Sequence, residues 1–130
     1  MSIGERRILV VEDEVVLAMM VQEQLEDRGA IVVGPAHSVQ QALELLDVAQ
    51  VDAAVLDVSL RGMASERVSE ALRARRVPYV VTTGFSQPDF ANESGAAVMR
   101  KPYRFQELHA ALEVVLAGAD QGNPGGAVGR

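Results

Sequence analysis

Four polar groups follow apolar runs along this chain, and their side chains suit phosphoryl chemistry. Glu12-Asp13 supplies two carboxylates, Asp57 a third, Thr83-Gly84 a hydroxyl, and Lys101-Pro102 an ammonium. Oxygen ligands of this kind hold Mg²⁺ together with phosphate groups. An ammonium, a hydroxyl and a cation can stabilise the charge that spreads over a phosphoryl group during transfer. The set therefore predicts that Asp57 accepts a phosphoryl group.

Each residue of the set has a predicted task. The predicted ligands of Mg²⁺ are oxygen donors: Glu12, Asp13, Asp57 and the backbone carbonyl of Ser59. The predicted contacts of the phosphoryl group are Lys101, Thr83, Ser59 and Gly84, the last leaving room beside Thr83. An acidic pair before a helix is often only a cap, and a Lys-Pro pair usually lies on the surface. The functional interpretation depends on the order in which all four groups follow strands.

Short apolar runs alternate with longer amphipathic segments. The predicted strands cover residues 8–11, 31–33, 53–57, 79–82 and 96–99, and the predicted helices cover 14–28, 39–49, 64–76, 86–94 and 104–117. Gly29 is expected to end the first helix, Ser38 to cap the second, and Gly34-Pro35 to stop the second strand. Nearly continuous apolar strands indicate a parallel sheet covered on both faces. The chain is thus predicted to be a doubly wound five-stranded α/β fold, in which ligands bind at the carboxyl ends of the strands.

Composition limits the classes of function. The chain has 130 residues, of which 48% are hydrophobic, and this is enough for one domain with its own core. We expect that domain over residues 1–117 and a flexible Gly-rich tail over 118–130. A net charge of −6 argues against direct binding of nucleic acid. Cysteine is absent, and no apolar segment is long enough to cross a membrane, so we expect a cytoplasmic protein without membrane contact.

Residues 6–117 strongly resemble the receiver domain of two-component response regulators, best known from the chemotaxis regulator. The acidic pair Glu12-Asp13, the phosphorylated Asp57, the switch hydroxyl of Thr83 and the ammonium of Lys101 carry this resemblance. It implies strand order 2-1-3-4-5, as in flavodoxin. It also implies Mg²⁺-dependent transfer from a histidine kinase or histidine phosphotransfer protein, followed by hydrolysis of the acyl phosphate.

Some residues depart from the usual receiver pattern. Arg61 stands where receivers usually carry proline, and Val98 stands where many carry a switch aromatic. Residues 78–85 read PYVVTTGF and residues 101–103 read KPY, which looks like the "FAT GUY" subclass. The signal is therefore expected to leave the site by an unusual route.

The predicted function is that of a stand-alone response regulator. It would switch the binding of a downstream protein, with residues 85–94 and 102–105 moving, or serve as a phosphate sink or shuttle; a homodimer is left open. The protein would catalyse only its own phosphorylation and dephosphorylation and would not be an enzyme on other substrates. The alternatives are a degenerate receiver that binds partners without phosphorylation and an Asp-nucleophile phosphatase of the haloacid dehalogenase type.

Overall fold

The fold is a five-stranded parallel sheet with helices on both faces. A computed structural model describes residues 3–58, 62–83, 96–101 and 103–120. The strands are β1 (Arg7–Val11), β2 (Ile31–Ala36), β3 (Ala53–Val58), β4 (Tyr79–Thr83) and β5 (Ala96–Arg100). The helices in this part of the chain are α1 (Val15–Asp27), α2 (Val39–Val48), α3 (Gly62–Ala74) and α4 (Phe105–Asp120). The strand order is β2-β1-β3-β4-β5, which confirms the predicted fold.

Two apolar layers hold the sheet between its helices. Alternate residues of a strand point to opposite faces, and β1 shows this clearly. Leu9 and Val11 belong to the layer that contains Leu46 of α2 and Leu72 of α3. Ile8 and Val10 belong to the opposite layer, with residues of α1 and α4 such as Leu25 and Leu112. Burial on both faces explains why the strands are apolar throughout.

The central strands end side by side. Val11 of β1 pairs with Leu56 of β3, and Asp57 of β3 pairs with Thr82 of β4. Because all these strands are parallel, their carboxyl ends lie along one edge of the sheet. Those of the singled-out polar residues that the structure describes lie at that edge.

Two predicted helix ends are confirmed. The hydroxyl oxygen of Ser38 accepts the backbone N–H of Gln41 at 3.1 Å, so Ser38 caps α2. Arg28 is the last residue associated with α1, and Gly29 follows with a φ of +88°. This left-handed conformation is the one that glycine adopts readily after a helix.

The expected end of β2 at Gly34-Pro35 is wrong. The strand continues to Ala36 through a cis Gly34–Pro35 bond, and Gly34 has a φ of +96°. The register against β1 shifts between Leu9 and Val11, after which Val11 pairs with Ala36. The register shift accommodates the irregular conformation of Gly34. Pairing with β1 therefore resumes after Pro35, and the strand continues.

Other boundaries also move. The predicted tail was expected to begin at Gly118, but α4 continues to Asp120, whose carboxylate pairs with the Arg6 guanidinium. This ion pair and the helical hydrogen bonds extend the ordered chain beyond the predicted boundary. The predicted helix over 86–94 and the predictions for Ser59, Arg61, Gly84 and Pro102 lie outside the described residues. In the described ranges, no helix is both long and apolar enough to cross a membrane.

Replacement of Gly34 by alanine tests the β2 irregularity. A Cβ at this position would lie 2.7 Å from the backbone N of Ala36, and the φ of +96° is unfavourable for alanine. We expect Gly34→Ala to lower the free energy of unfolding by about 2 kcal/mol or more in urea denaturation. Gly118→Ala is the matched control, since a Cβ there meets nothing within 4 Å in α4. It should be neutral or stabilising by up to about 1 kcal/mol; equal effects of the two changes would contradict this account.

Candidate functional site

Three carboxylates meet at the carboxyl edge of the sheet. Glu12 and Asp13 follow β1, Asp57 lies near the end of β3, and one oxygen from each lies within 4.8 Å of the others. Glu12 and Asp57 are buried, whereas Asp13 is exposed. The backbone N–H of Glu12 donates to the carbonyl of Ala36 at 2.9 Å, which ties the acidic loop to the extended end of β2. The structure thus brings together the predicted acidic residues that it describes.

Lys101 supplies a positive charge to this acidic group. Its Nζ lies 2.6 Å from Asp57 Oδ1 and 3.5 Å from Glu12 Oε1. The backbone N–H of Lys101 donates to the carbonyl of Thr83 at 2.8 Å, which joins the residue after β5 to the end of β4. The ammonium is therefore close enough to contact an oxygen of any phosphoryl group attached to Asp57.

Two adjacent threonines end β4 at the site. Thr83, to which the sequence assigns the switch hydroxyl, is 1% exposed at the last position of the strand. The hydroxyl of Thr82 donates to Asp57 Oδ1 at 3.2 Å, and Thr82 is equally buried. Sequence reasoning missed Thr82. The signal that could have revealed it is the strand register, because Thr82 is the direct partner of Asp57.

Neighbouring groups orient the backbone around the carboxylates. His37 Nδ1 lies 3.0 Å from the carbonyl oxygen of Glu12, and since a carbonyl only accepts, Nδ1 is the donor. The hydroxyl of Ser65 on α3 donates to the carbonyl of Asp57 at 3.4 Å. Neither His37 nor Ser65 is among the site residues predicted from the sequence. Both contacts are to backbone atoms, so these residues fix the loop and strand end that carry the carboxylates.

Among the described residues of the site, three carboxyl groups lie beside one ammonium, so negative charge is in excess. Burial raises the pKa of the Glu12 carboxyl to about 7, and the adjacent Asp57 adds to the shift, while the Glu14 N–H and Lys101 oppose it. Burial alone would lower the pKa of Lys101, but the hydrogen bond and charge of Asp57, with those of Glu12, raise it instead. Burial is thus the main cause of the raised Glu12 pKa, and the charge of Asp57 contributes to both shifts.

This donor set fits a hard divalent cation. Three adjacent carboxylates repel one another, and a bound cation would relieve this repulsion, which adds to the effect of burial on the Glu12 pKa. All three offer oxygen, the ligand type that Mg²⁺ prefers. Asp13 is exposed beside two buried carboxylates, so the cluster opens toward solvent, from which a hydrated ion and a phosphate group can approach.

Comparison with known proteins gives one family for nearly the whole fold. The model of the response regulator receiver domain matches residues 8–113. This range begins in β1 and ends in α4, and it includes every described residue of the site.

A curated relative and two solved structures agree with this match. The transcriptional regulatory protein PdtaR of Mycobacterium tuberculosis is 35% identical over 117 residues, which are 86% of this chain but 57% of PdtaR. The solution structure of SdrG from Sphingomonas melonis Fr1 has 39% identity and a TM-score of 0.70, covering 89% of this chain and 99% of SdrG. A CheY-like receiver domain from Methanospirillum hungatei JF-1 has a TM-score of 0.80 at 22% identity, covering 91% of this chain and 98% of that domain, and so supports the fold. The "FAT GUY" assignment stays a prediction.

The raised pKa of Glu12 predicts how the metal-free protein responds to pH. The folded state binds the Glu12 proton more tightly than the unfolded state, whose pKa is near 4.5. This contribution to stability is complete below that value and is lost as pH rises through about 7. We expect a loss on the order of 2 to 3 kcal/mol, measured by urea unfolding in EDTA across this pH range.

Glu12→Gln should remove most of this dependence because the amide does not titrate. Glu23→Gln on the exposed face of α1 removes a carboxylate elsewhere and serves as the control. The difference in unfolding free energy between wild type and Glu12→Gln should change with pH, whereas that between wild type and Glu23→Gln should not. A constant difference for Glu12→Gln between pH 4.5 and 7 would show that its pKa is not raised.

Proposed function

Because this chain belongs to the response regulator receiver domain family, we propose that Asp57 accepts a phosphoryl group from a phosphohistidine of a partner kinase or phosphotransfer protein. The observation that carries the proposal is the convergence of Lys101 and the acidic group on Asp57. Lys101 Nζ lies 2.6 Å from Asp57 Oδ1, and the Glu12 and Asp13 carboxylates are next to it. The proposed nucleophile, the carboxylates that would hold a cation and a positively charged side chain thus lie together at the carboxyl edge of the sheet.

The proposed ligands of Mg²⁺ are Glu12, Asp13, Asp57 and the backbone carbonyl of Ser59. Bound there, the ion would neutralise negative charge on the carboxylates and on the incoming phosphoryl oxygens. The chain's own contribution is to hold Glu12 in place. Its backbone N–H is bound to Ala36, its carbonyl to His37, and its Oε2 accepts the N–H of Glu14 at 3.1 Å.

Phosphorylation would proceed by in-line attack of an Asp57 oxygen on phosphorus. We assign the attack to Oδ2, since Lys101 and Thr82 both donate to Oδ1. The Oδ2–P bond forms as the bond from phosphorus to the histidine nitrogen of the partner breaks, and the electron pair stays on that nitrogen. Lys101 and Thr83 then contact phosphoryl oxygens, and the backbone at Ser59 and Gly84 completes the proposed phosphate contacts.

The output would be a change in protein binding. Phosphorylation adds about −1.5 to −2 charge, and Lys101 would exchange Asp57 Oδ1 for a phosphoryl oxygen. Moving an equilibrium from 1:99 to 99:1 requires about 5.5 kcal/mol, so Lys101, Thr83 and the cation would have to act together. The modified domain could switch a downstream partner, drain phosphoryl groups as a sink, or pass them on in a relay.

The domain would act only on its own acyl phosphate. The lack of cysteine supports a cytoplasmic location.

PdtaR is described as a transcriptional regulatory protein. The present chain covers 57% of PdtaR, so a transcriptional output is not part of this proposal.

Labelling with a small-molecule phosphodonor tests the acceptor residue. Acetyl phosphate and Mg²⁺ should give a hydroxylamine-labile phosphoryl group on wild type, detected by intact-mass spectrometry, and EDTA should prevent it. Asp57→Asn should abolish the label because the amide is a poor nucleophile. Asp52→Asn is the matched control, since Asp52 accepts the Arg7 N–H at 2.8 Å beside the start of β1, far from the carboxyl edge.

The possible results separate the alternatives. Label on wild type and Asp52→Asn but not on Asp57→Asn supports the proposal. No label on wild type would instead support a binding module that acts without phosphorylation. Rapid turnover of many phosphate esters would support a phosphatase.

Spectra of the phosphorylated state test the switch. Lys101 is joined through its backbone to Thr83 and through its side chain to Asp57, so a new partner for its ammonium should disturb β5. We expect the largest amide shift changes on adding beryllofluoride and Mg²⁺ at the site itself, with further changes over Ala96–Arg100 and at Tyr103. Amides at the opposite edge, such as those of Arg7 and Asp52, should stay in place. Changes confined to the acidic loop and Asp57 would reject the switch.

A further inference from the structure

The hydroxyl of Thr82 is a second donor to the carboxylate of Asp57. Thr82 Oγ1 lies 3.2 Å from Asp57 Oδ1, the same oxygen that Lys101 Nζ approaches at 2.6 Å. Resting on the function proposed above, we propose that Thr82 shortens the lifetime of the phosphoryl group by stabilising the Asp57 carboxylate as it leaves phosphorus. Thr82 would thus be a rate-setting residue of the site, in addition to Thr83 and Lys101.

The position of Thr82 makes this hydroxyl a fixed donor. Thr82 pairs with Asp57 on one side and with Met99 on the other, so the backbone is held between β3 and β5. The residue is 1% exposed, and a β-branched side chain has few rotamers available. Lys101, by contrast, has a long side chain that is 26% exposed. When Lys101 moves to a phosphoryl oxygen, Thr82 therefore remains beside Oδ1.

Negative charge develops on Oδ1 of Asp57 during hydrolysis, and the Thr82 hydroxyl stabilises that charge. In the acyl phosphate, Oδ1 is a neutral carbonyl oxygen, because Oδ2 is bonded to phosphorus. During hydrolysis a water oxygen bonds to phosphorus and the P–Oδ2 bond breaks. Its electron pair remains on the Asp57 carboxylate and is shared with Oδ1, while inorganic phosphate and solvent take up the proton of the water. A hydrogen bond to an anionic oxygen is stronger than one to a neutral carbonyl, so the Thr82 hydroxyl stabilises the departing carboxylate.

The expected change in the half-life of the phosphoryl group follows from that difference in hydrogen-bond strength. Loss of the hydroxyl should lengthen the half-life of the phosphoryl group by about three- to tenfold. The same reasoning makes the hydroxyl stabilise the unphosphorylated carboxylate. A variant without the hydroxyl should therefore also reach a higher phosphorylated fraction at steady state.

Thr82→Val is the direct test, because valine has nearly the same shape and its neighbours Val80 and Val81 are already buried in β4. Thr82→Ser retains the hydroxyl and should restore the wild-type half-life to within about twofold. The full chain would be labelled with acetyl phosphate and Mg²⁺ and freed of donor. The fraction still phosphorylated would then be followed by Phos-tag electrophoresis. Thermal unfolding shows whether each variant is folded, and Thr82→Ala takes the place of Thr82→Val if the latter is not.

The outcomes distinguish this inference from the function on which it rests. A longer half-life in Thr82→Val, with normal values in Thr82→Ser and with label uptake at least half as fast as in wild type, supports it. A half-life equal to or shorter than that of labelled wild type overturns the inference and leaves the proposed function standing. Slow uptake without a longer half-life also overturns it, since this indicates a merely structural role. Failure of wild type to take label overturns both.

Discussion

The confinement of three carboxylates beside one ammonium is the constraint that organises this molecule. Two full charges within 4.8 Å of each other repel by about 3.5 kcal/mol or more at an effective dielectric constant near 20. Glu12 is buried in that environment, and this burial raises the pKa of its carboxyl to about 7. Lys101 relieves part of the repulsion, and the rest favours any cation that reaches the cluster. A site of this kind favours the binding of a cation because its carboxylates carry more negative charge than the ammonium offsets.

The surrounding fold holds the acidic residues in place despite this repulsion. β1 and β3, which carry the acidic residues, are central strands with neighbours on both sides. The apolar layers on the two faces are formed by other residues of the same strands, such as Leu9 and Val55. The carbonyl of Ala36 and the side chains of His37 and Ser65 hydrogen-bond to the backbone at the strand ends and hold it. The electrostatic cost is thus concentrated at one edge, while burial of the strands stabilises the whole.

What the sequence revealed depended on rules that act along the chain. Apolar runs predicted the parallel sheet, and the order of polar groups at the ends of those runs predicted that Glu12, Asp57 and Lys101 would meet. Contacts that depend on lateral register were hidden. Thr82 looked like one more strand residue until its pairing with Asp57 was known. His37 was hidden for a related reason: a Gly-Pro pair normally ends a strand, yet β2 continues to Ala36 and brings the next residue beside the acidic loop.

Under the proposed function, β5 and the residues that follow it determine how a change at Asp57 could be passed on. Val98 stands where many receivers are expected to have an aromatic residue, and it packs against the layer that contains α2 and α3. Tyr103 is half-buried against the opposite layer, with Phe105 and the core residues of α4. Lys101 lies between these two positions in the chain and is bound to both Asp57 and the carbonyl of Thr83. Valine has a short, β-branched side chain with few rotamers, so a change of its rotamer would displace few atoms. Under the proposed function, movement of Lys101 would therefore be coupled to Tyr103 and the start of α4 rather than to Val98, and the responsive surface would lie on the α1 and α4 side of the sheet.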